Sequence, residues 1–136
     1  MAKAKSRTAE PVTIDIVDLI TAKLDELEGI SVTRDAWENE APEQYGVIEM
    51  DEEPTQLAAD GKVIDEVYRL TLTLYVNGSS DNWAQDVREK LEELESVYDW
   101  LTIGCRMIMH QFVFSIGKVR WAFRLTVPGP LVRTVT

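Results

Sequence analysis

Between Val63 and Val76 the side chains alternate strictly with a period of two. Ile64, Glu66, Tyr68, Leu70, Leu72, Leu74 and Val76 fall on one face, and Val63, Asp65, Val67, Arg69, Thr71, Thr73 and Tyr75 on the other. A strand of this length predicts a broad antiparallel sheet. The period then changes. Asn77, Gly78, Ser79 and Ser80 supply a turn and a helix cap. From Asp81 to Val97, Trp83, Val87, Leu91 and Leu94 recur at spacings of three and four, with Arg88, Glu89, Lys90, Glu92 and Glu93 mostly outside. This is the pattern of an amphipathic helix laid on the sheet.

Upstream, Thr13 is placed to cap a first helix running to about Glu28, with Ile16, Val17, Ile20, Leu24 and Leu27 on one stripe and Gly29 at its end. Asp15 and Asp18 near its start favour the helix dipole. Ile30 to about Trp37 and Tyr45 to Met50 read as strands, separated by an acidic loop containing Pro42. Asp51 to Lys62, with Pro54 and Gly61, reads as a loop. Tyr45 to Met50 and Val63 to Val76 could then form an extended hairpin.

Downstream, Trp100 to Phe114 departs from simple alternation. Ile103, Cys105, Met107 and Met109 are set against Arg106, Ile108, His110, Phe112 and Phe114, so apolar groups lie on both faces. A second subunit is one source of cover for such a strand. Val119, Trp121, Phe123, Leu125 and Val127 alternate cleanly with Arg120, Ala122, Arg124 and Thr126, and Pro128, Gly129 and Pro130 close the sheet. The expected fold is α+β: a mainly antiparallel sheet of about four to five strands with two helices on one face, in the order α-β-β-β-α-β-β. A mobile basic arm, 1–12, precedes the single domain 13–127, and a tail, 128–136, follows it.

The length of 136 residues and 45% hydrophobic content suit one domain with a real core. Cys105 is the single cysteine, so no intrachain disulfide is possible, and it reads as a small packed residue. No apolar run is long enough to span a membrane, and Met1 to Pro11 lacks the hydrophobic centre of a signal peptide. These features point to synthesis and use in a cytoplasm. The net charge of -10 is unevenly spread: residues 1–7 carry +3, residues 8–98 carry -17, and residues 99–136 carry +4. An acidic body beside a basic final region offers two complementary surfaces on one subunit, as head-to-tail association requires. The basic footprint is too small to bind the outside of a nucleic-acid duplex.

Reaction chemistry is weakly represented. His110 has no identifiable catalytic partner in the sequence, and Ser79 and Ser80 lack a nucleophile-elbow context. Gly78, Gly104 and Gly117 do not make a phosphate loop. Glu49, Asp51, Glu52 and Glu53 lack the spacing and turn glycine of a calcium loop, which leaves a solvated acidic loop. Trp37, Trp83, Trp100 and Trp121 could stack on bases, but the charge around them is wrong for a nucleic-acid groove, and periodicity makes Trp83 and Trp121 core residues first. No enzyme activity, cofactor or metal is therefore expected. Arg69, Arg120 and Arg124 would share one sheet face if the strands pair as expected, and could dock the acidic face of a neighbour.

The layout of these elements resembles the tail-terminator and tail-completion proteins of long-tailed bacteriophages. The resemblance covers about Thr13 to Val127 and rests on the first helix, the acidic Tyr45 to Asp60 segment, the strand Val63 to Val76, the helix after Asn77-Gly-Ser-Ser, and Val119 to Val127. It implies a homo-oligomeric, hexameric ring at the head-proximal end of the tail tube. Such a ring ends tube polymerisation and joins the tail to the head. Its partners would be itself, the tail tube protein and a head-tail connector or neck protein, with genomic DNA passing through without specific binding. Its place would be the virion neck, reached from the host cytoplasm, with no membrane partner. Within that resemblance Glu49, Asp51, Glu52 and Glu53 are candidate lumen or ring-face acids, and Arg69, Arg106, Arg120 and Arg124 candidate subunit-interface residues. Two alternatives remain: a connector, neck or tube protein of the same virion, and a small-molecule-binding α+β domain.

Overall fold

A computed structural model describes residues 12–37, 40–50, 55–59, 62–78, 82–129 and 132–135. Its elements are β1 (Val12–Asp15), α1 (Ile16–Leu24), β2 (Ser31–Arg34), β3 (Tyr45–Met50), β4 (Thr55–Ala59), β5 (Lys62–Val76), α2 (Trp83–Val97), β6 (Gly104–Val113), β7 (Lys118–Pro128) and β8 (Val132–Val135). The class is α+β, with a mostly antiparallel sheet and two helices. The expected order of elements needs correction, because β1, β4 and β8 were not foreseen as strands.

The main sheet runs β2-β3-β5-β7-β6, with β4 also paired to β5. Only β2 and β3 are parallel; the other pairs are antiparallel. Val67 faces Thr55 on one side and Pro128 on the other, so β4 lies on the same edge of β5 as β3. β3 and β4 thus accompany successive stretches of β5, and the expected hairpin is present in extended form. Its outer part, where β4 meets Lys62 to Glu66, reaches past the end of β7 as a two-stranded ribbon. Thr55–Ala59 gave no strand signal because Pro54 and Gly61 bracket it and its own alternation is short. β8 follows Pro128, Gly129 and Pro130 and pairs with β1 in a separate two-stranded sheet.

α1 starts two residues later than a cap at Thr13 would place it. Asp15 is its cap, its carboxylate accepting from the N–H groups of Val17 (2.9 Å) and Asp18 (3.3 Å), while Thr13 belongs to β1. Helical geometry ends at Leu24, after which turns lead to Gly29 at φ +81°. There the side chain of Asp25 accepts from the Val32 N–H at 2.8 Å and fastens the helix end to β2. α2 is capped by Asn82, whose side chain accepts from the Gln85 N–H at 3.1 Å; Ser79, Ser80 and Asp81 lie outside the described residues.

Both helices cover one face of the sheet. Ile16, Val17, Ile20 and Leu24 of α1 and Trp83, Val87, Leu91 and Leu94 of α2 are buried with Leu70, Leu72, Leu74 and Val76 of β5 and Phe123, Leu125 and Val127 of β7. Alternation along β5 and β7 therefore has a direct physical cause, since every second side chain enters this core. Each fully buried aliphatic or aromatic side chain contributes about 1.5–3 kcal/mol relative to exposure. β3 crosses the core through Gly46 and Ile48, and a Cβ at Gly46 would stand 2.7 Å from Leu74 Cδ2 and 3.1 Å from Val32 Cγ2.

β6 contains a register shift between Met107 and Met109, leaving Ile108 as an inserted residue. Cys105 and Met107 face Leu125 and Phe123, while beyond the bulge His110 and Phe112 face Trp121 and Val119. The side-chain parity of β6 thus reverses at Ile108. The expected facing is corrected: His110 and Phe112 share the helix-side face with Cys105 and Met107, and Met109 joins Arg106 on the opposite face.

Candidate functional site: the helix-free sheet face

Strand pairing assembles the side of the sheet away from the helices into rows. Arg106 of β6 faces Arg124 of β7, Arg124 faces Thr71 of β5, and Thr71 faces Glu49 of β3. A parallel row runs Gln111, Arg120, Tyr75 and Tyr45. Between them lie Met109, Ala122, Thr73 and Val47, and beyond the first row Gly104, Thr126 and Arg69. All four predicted interface arginines, Arg69, Arg106, Arg120 and Arg124, therefore occupy this one face. Glu49, exposed, ends the Arg106–Arg124 row. It is the only one of the four candidate acids that can be placed, because Asp51, Glu52 and Glu53 lie outside the described residues.

One end of the face is aromatic. Tyr45 and Tyr75 stack with centroids 5.0 Å apart, and Trp37 meets Tyr45 edge-on at 6.4 Å. The Trp37 indole N–H donates to the Gly46 carbonyl at 3.3 Å, which pins the ring beside the strand. Arg120 adjoins Tyr75 and is held in place by its neighbours: its Nε donates to Met109 Sδ at 3.1 Å and its Nη2 to Gln111 Oε1 at 3.4 Å. Tyrosine, tryptophan and arginine gathered on a single face are the residue types enriched where proteins dock.

Like charges set directly opposite each other on antiparallel strands repel. The Arg106–Arg124 pair is such a juxtaposition, and no ion pair of Arg106 or Arg120 occurs among the described residues. Arg106 and Arg120 thus place positive charge on this face. His110 is turned to the other side, stacked on Trp121 at 3.8 Å, and Trp121 in turn stacks near Phe123.

The helix layer carries the opposite charge. A cleft of about 360 Å³ between the end of α1 and α2 is lined by Glu26, Glu28, Asp86, Glu89 and Glu93 together with Lys90. Lys23 contacts Glu93 at 3.0 Å and Glu26 at 3.3 Å, and Lys90 contacts Glu26 at 3.7 Å and Glu93 at 3.9 Å, so two lysines staple the helices together. The Lys23 hydrogen bond, foremost, holds the Glu93 carboxyl below its ordinary range and lifts the Lys23 ammonium above its own. Glu28, Asp86 and Glu89 have no ion pair among the described residues. Charge periodicity along α2 made its acids legible, but only tertiary packing shows them meeting Glu26 and Glu28.

No group of three or more His, Cys, Asp or Glu side chains among the described residues is arranged to hold a metal ion. Among the same residues, no helix is long and apolar enough to cross a membrane. Burial pushes the Cys105 thiol up, and the nearby Arg88 offsets only part of that rise. No protein-family model matches the chain, and no curated protein matches its sequence.

Proposed function

We propose that the chain is a structural ring-forming subunit of a long-tailed phage virion, of the tail-terminator or tail-completion kind. It assembles with copies of itself at the head-proximal end of the tail tube, ends tube polymerisation and presents a second surface to the connector. The observation that carries this reading is the pairing of unlike surfaces on one small subunit: an arginine- and aromatic-bearing sheet face, and an acidic helix layer on the other side of the sheet. A subunit with two different complementary surfaces associates head to tail, and a closed ring results when the rotation between copies divides the circle. The terminator assignment itself rests on the resemblance in layout, to which the extended β3/β4–β5 hairpin adds support.

Light scattering on the purified chain, with negative-stain images of the same peak, tests the proposal. Closed rings of about six subunits, or a monomer that closes into rings when tail tubes are added, support it. Single caps that stop tube growth distinguish a terminator from a tube subunit, which would extend the filament. A compact, stable dimer that forms no ring on added tubes overturns the proposal.

A further inference from the structure

We infer that the helix-free sheet face of one copy docks, through Arg106 and Arg120, onto the acidic cleft between α1 and α2 of a second copy. This deepens the ring reading and rests on it, since it specifies which surfaces meet. Three observations carry it. The two surfaces belong to opposite layers of the subunit, so a contact between them is heterologous and leaves one of each free to continue the assembly. Their charges are complementary: Arg106 and Arg120 have no ion pair among the described residues, and neither have Glu28, Asp86 and Glu89. Finally, Arg120 shares its row with Tyr75 and Tyr45, beside Trp37, which supplies apolar area next to the charge.

The size is adequate for a contributing contact. Five strands about 4.8 Å apart and some seven residues of about 3.3 Å each give a footprint on the order of 500 Å². A stable interface takes roughly 800 Å² of accessible surface per partner, so this face can supply much of it. Arginine forks suit carboxylates, so each new ion pair can be bidentate.

A charge exchange tests the docking. One variant carries Arg106→Glu and Arg120→Glu, the other Glu28→Lys and Glu89→Lys. Sedimentation velocity at low salt should show each variant alone associating about 100-fold or more weaker than the wild type, the scale of a few close charge pairs. An equimolar mixture should recover the assembly, because each junction then pairs opposite charges and the two variants alternate. Recovery also shows that both variants are folded. Rings formed by either variant alone at wild-type strength overturn the docking while leaving the ring reading intact. A mixture that stays dissociated overturns it as well. So does duplex DNA retained by the wild type and lost from the arginine variant, if self-association is unchanged. A wild-type chain that forms no ring, alone or on tail tubes, removes both.

Discussion

Arg106 and Arg124 stand directly opposite each other on adjacent antiparallel strands, two cations set against one another on the helix-free face of the sheet. Like charges opposed in this way repel. Replacing Arg106 by Glu should therefore raise monomer stability by about 0.2–1 kcal/mol, because an opposed like-charge pair becomes an opposite-charge pair. The same change should weaken self-association. Urea unfolding under dissociating conditions and sedimentation at low salt read the two effects separately, and a variant that loses both stability and association would mean that Arg106 is structural.

His110 and Trp121 form a stacked pair with planes 19° apart. A double-mutant cycle with His110→Ala and Trp121→Ala should return a coupling of about 0.5–1.5 kcal/mol, the range of such ring pairs beyond simple burial. Had the parity of β6 continued unbroken past Ile108, the two rings would lie on opposite faces and the coupling would vanish.

Gly46 sits where a methyl group would press into Leu74 and Val32, both buried. Gly46→Ala should lose about 1–3 kcal/mol through overpacking, measured as a fall in the urea midpoint. The paired change Gly46→Ala with Leu74→Val should lose less than the two single changes added together, since it vacates part of the space that the methyl needs.

Asp15 combines two roles, capping α1 and accepting from Arg34 Nη1 at 3.0 Å. Asp15→Ala should cost about 0.5–2 kcal/mol, the usual range for a lost cap. Asp15→Asn keeps a capping oxygen and removes the charge, so it should fall between the wild type and alanine in thermal unfolding.

The Lys23–Glu93 bridge makes stability depend on pH. A carboxyl whose value is lower in the folded chain than in the unfolded one stabilises the fold above its unfolded value, and that contribution disappears as pH falls through the folded value. Lys23 acts with the opposite sign: its contribution is complete below the unfolded ammonium value and disappears as pH rises through the raised folded one. Lys23→Met should therefore flatten the acid limb of the stability profile at low ionic strength. The test is a set of melts from neutral to acidic pH in both proteins; parallel profiles would show that the bridge contributes nothing measurable, as exposed pairs often do.

Local pattern made the centre of the fold legible. β5, α2 and β7 each expose every second or every third and fourth side chain to one core, so the two-residue and helical periods survive in the sequence. The parts that were not legible depend on pairing at a distance. Thr55–Ala59 becomes a strand because Lys62–Val67 offers it a ladder, and Val132–Val135 because Val12–Asp15 does. The candidate interface arginines were readable by parity, yet Arg106 joins them on one face only because the bulge falls after it. The acidic cleft could not be read at all without the packing of α1 against α2, which brings Glu26 and Glu28 to Asp86, Glu89 and Glu93.

Ile108 has one more consequence, for what the outer margin of the sheet will accept. Among the described residues β6 is the last strand on its side, and Met107, Ile108 and Phe112 are all more than two-fifths exposed along it. A smooth apolar margin of this kind is a template on which stray chains can add strand after strand. The extra residue breaks the even spacing of donors and acceptors midway, so an incoming strand can stay in register with only half of β6 at a time. One inserted side chain thus works against indiscriminate strand addition along that margin.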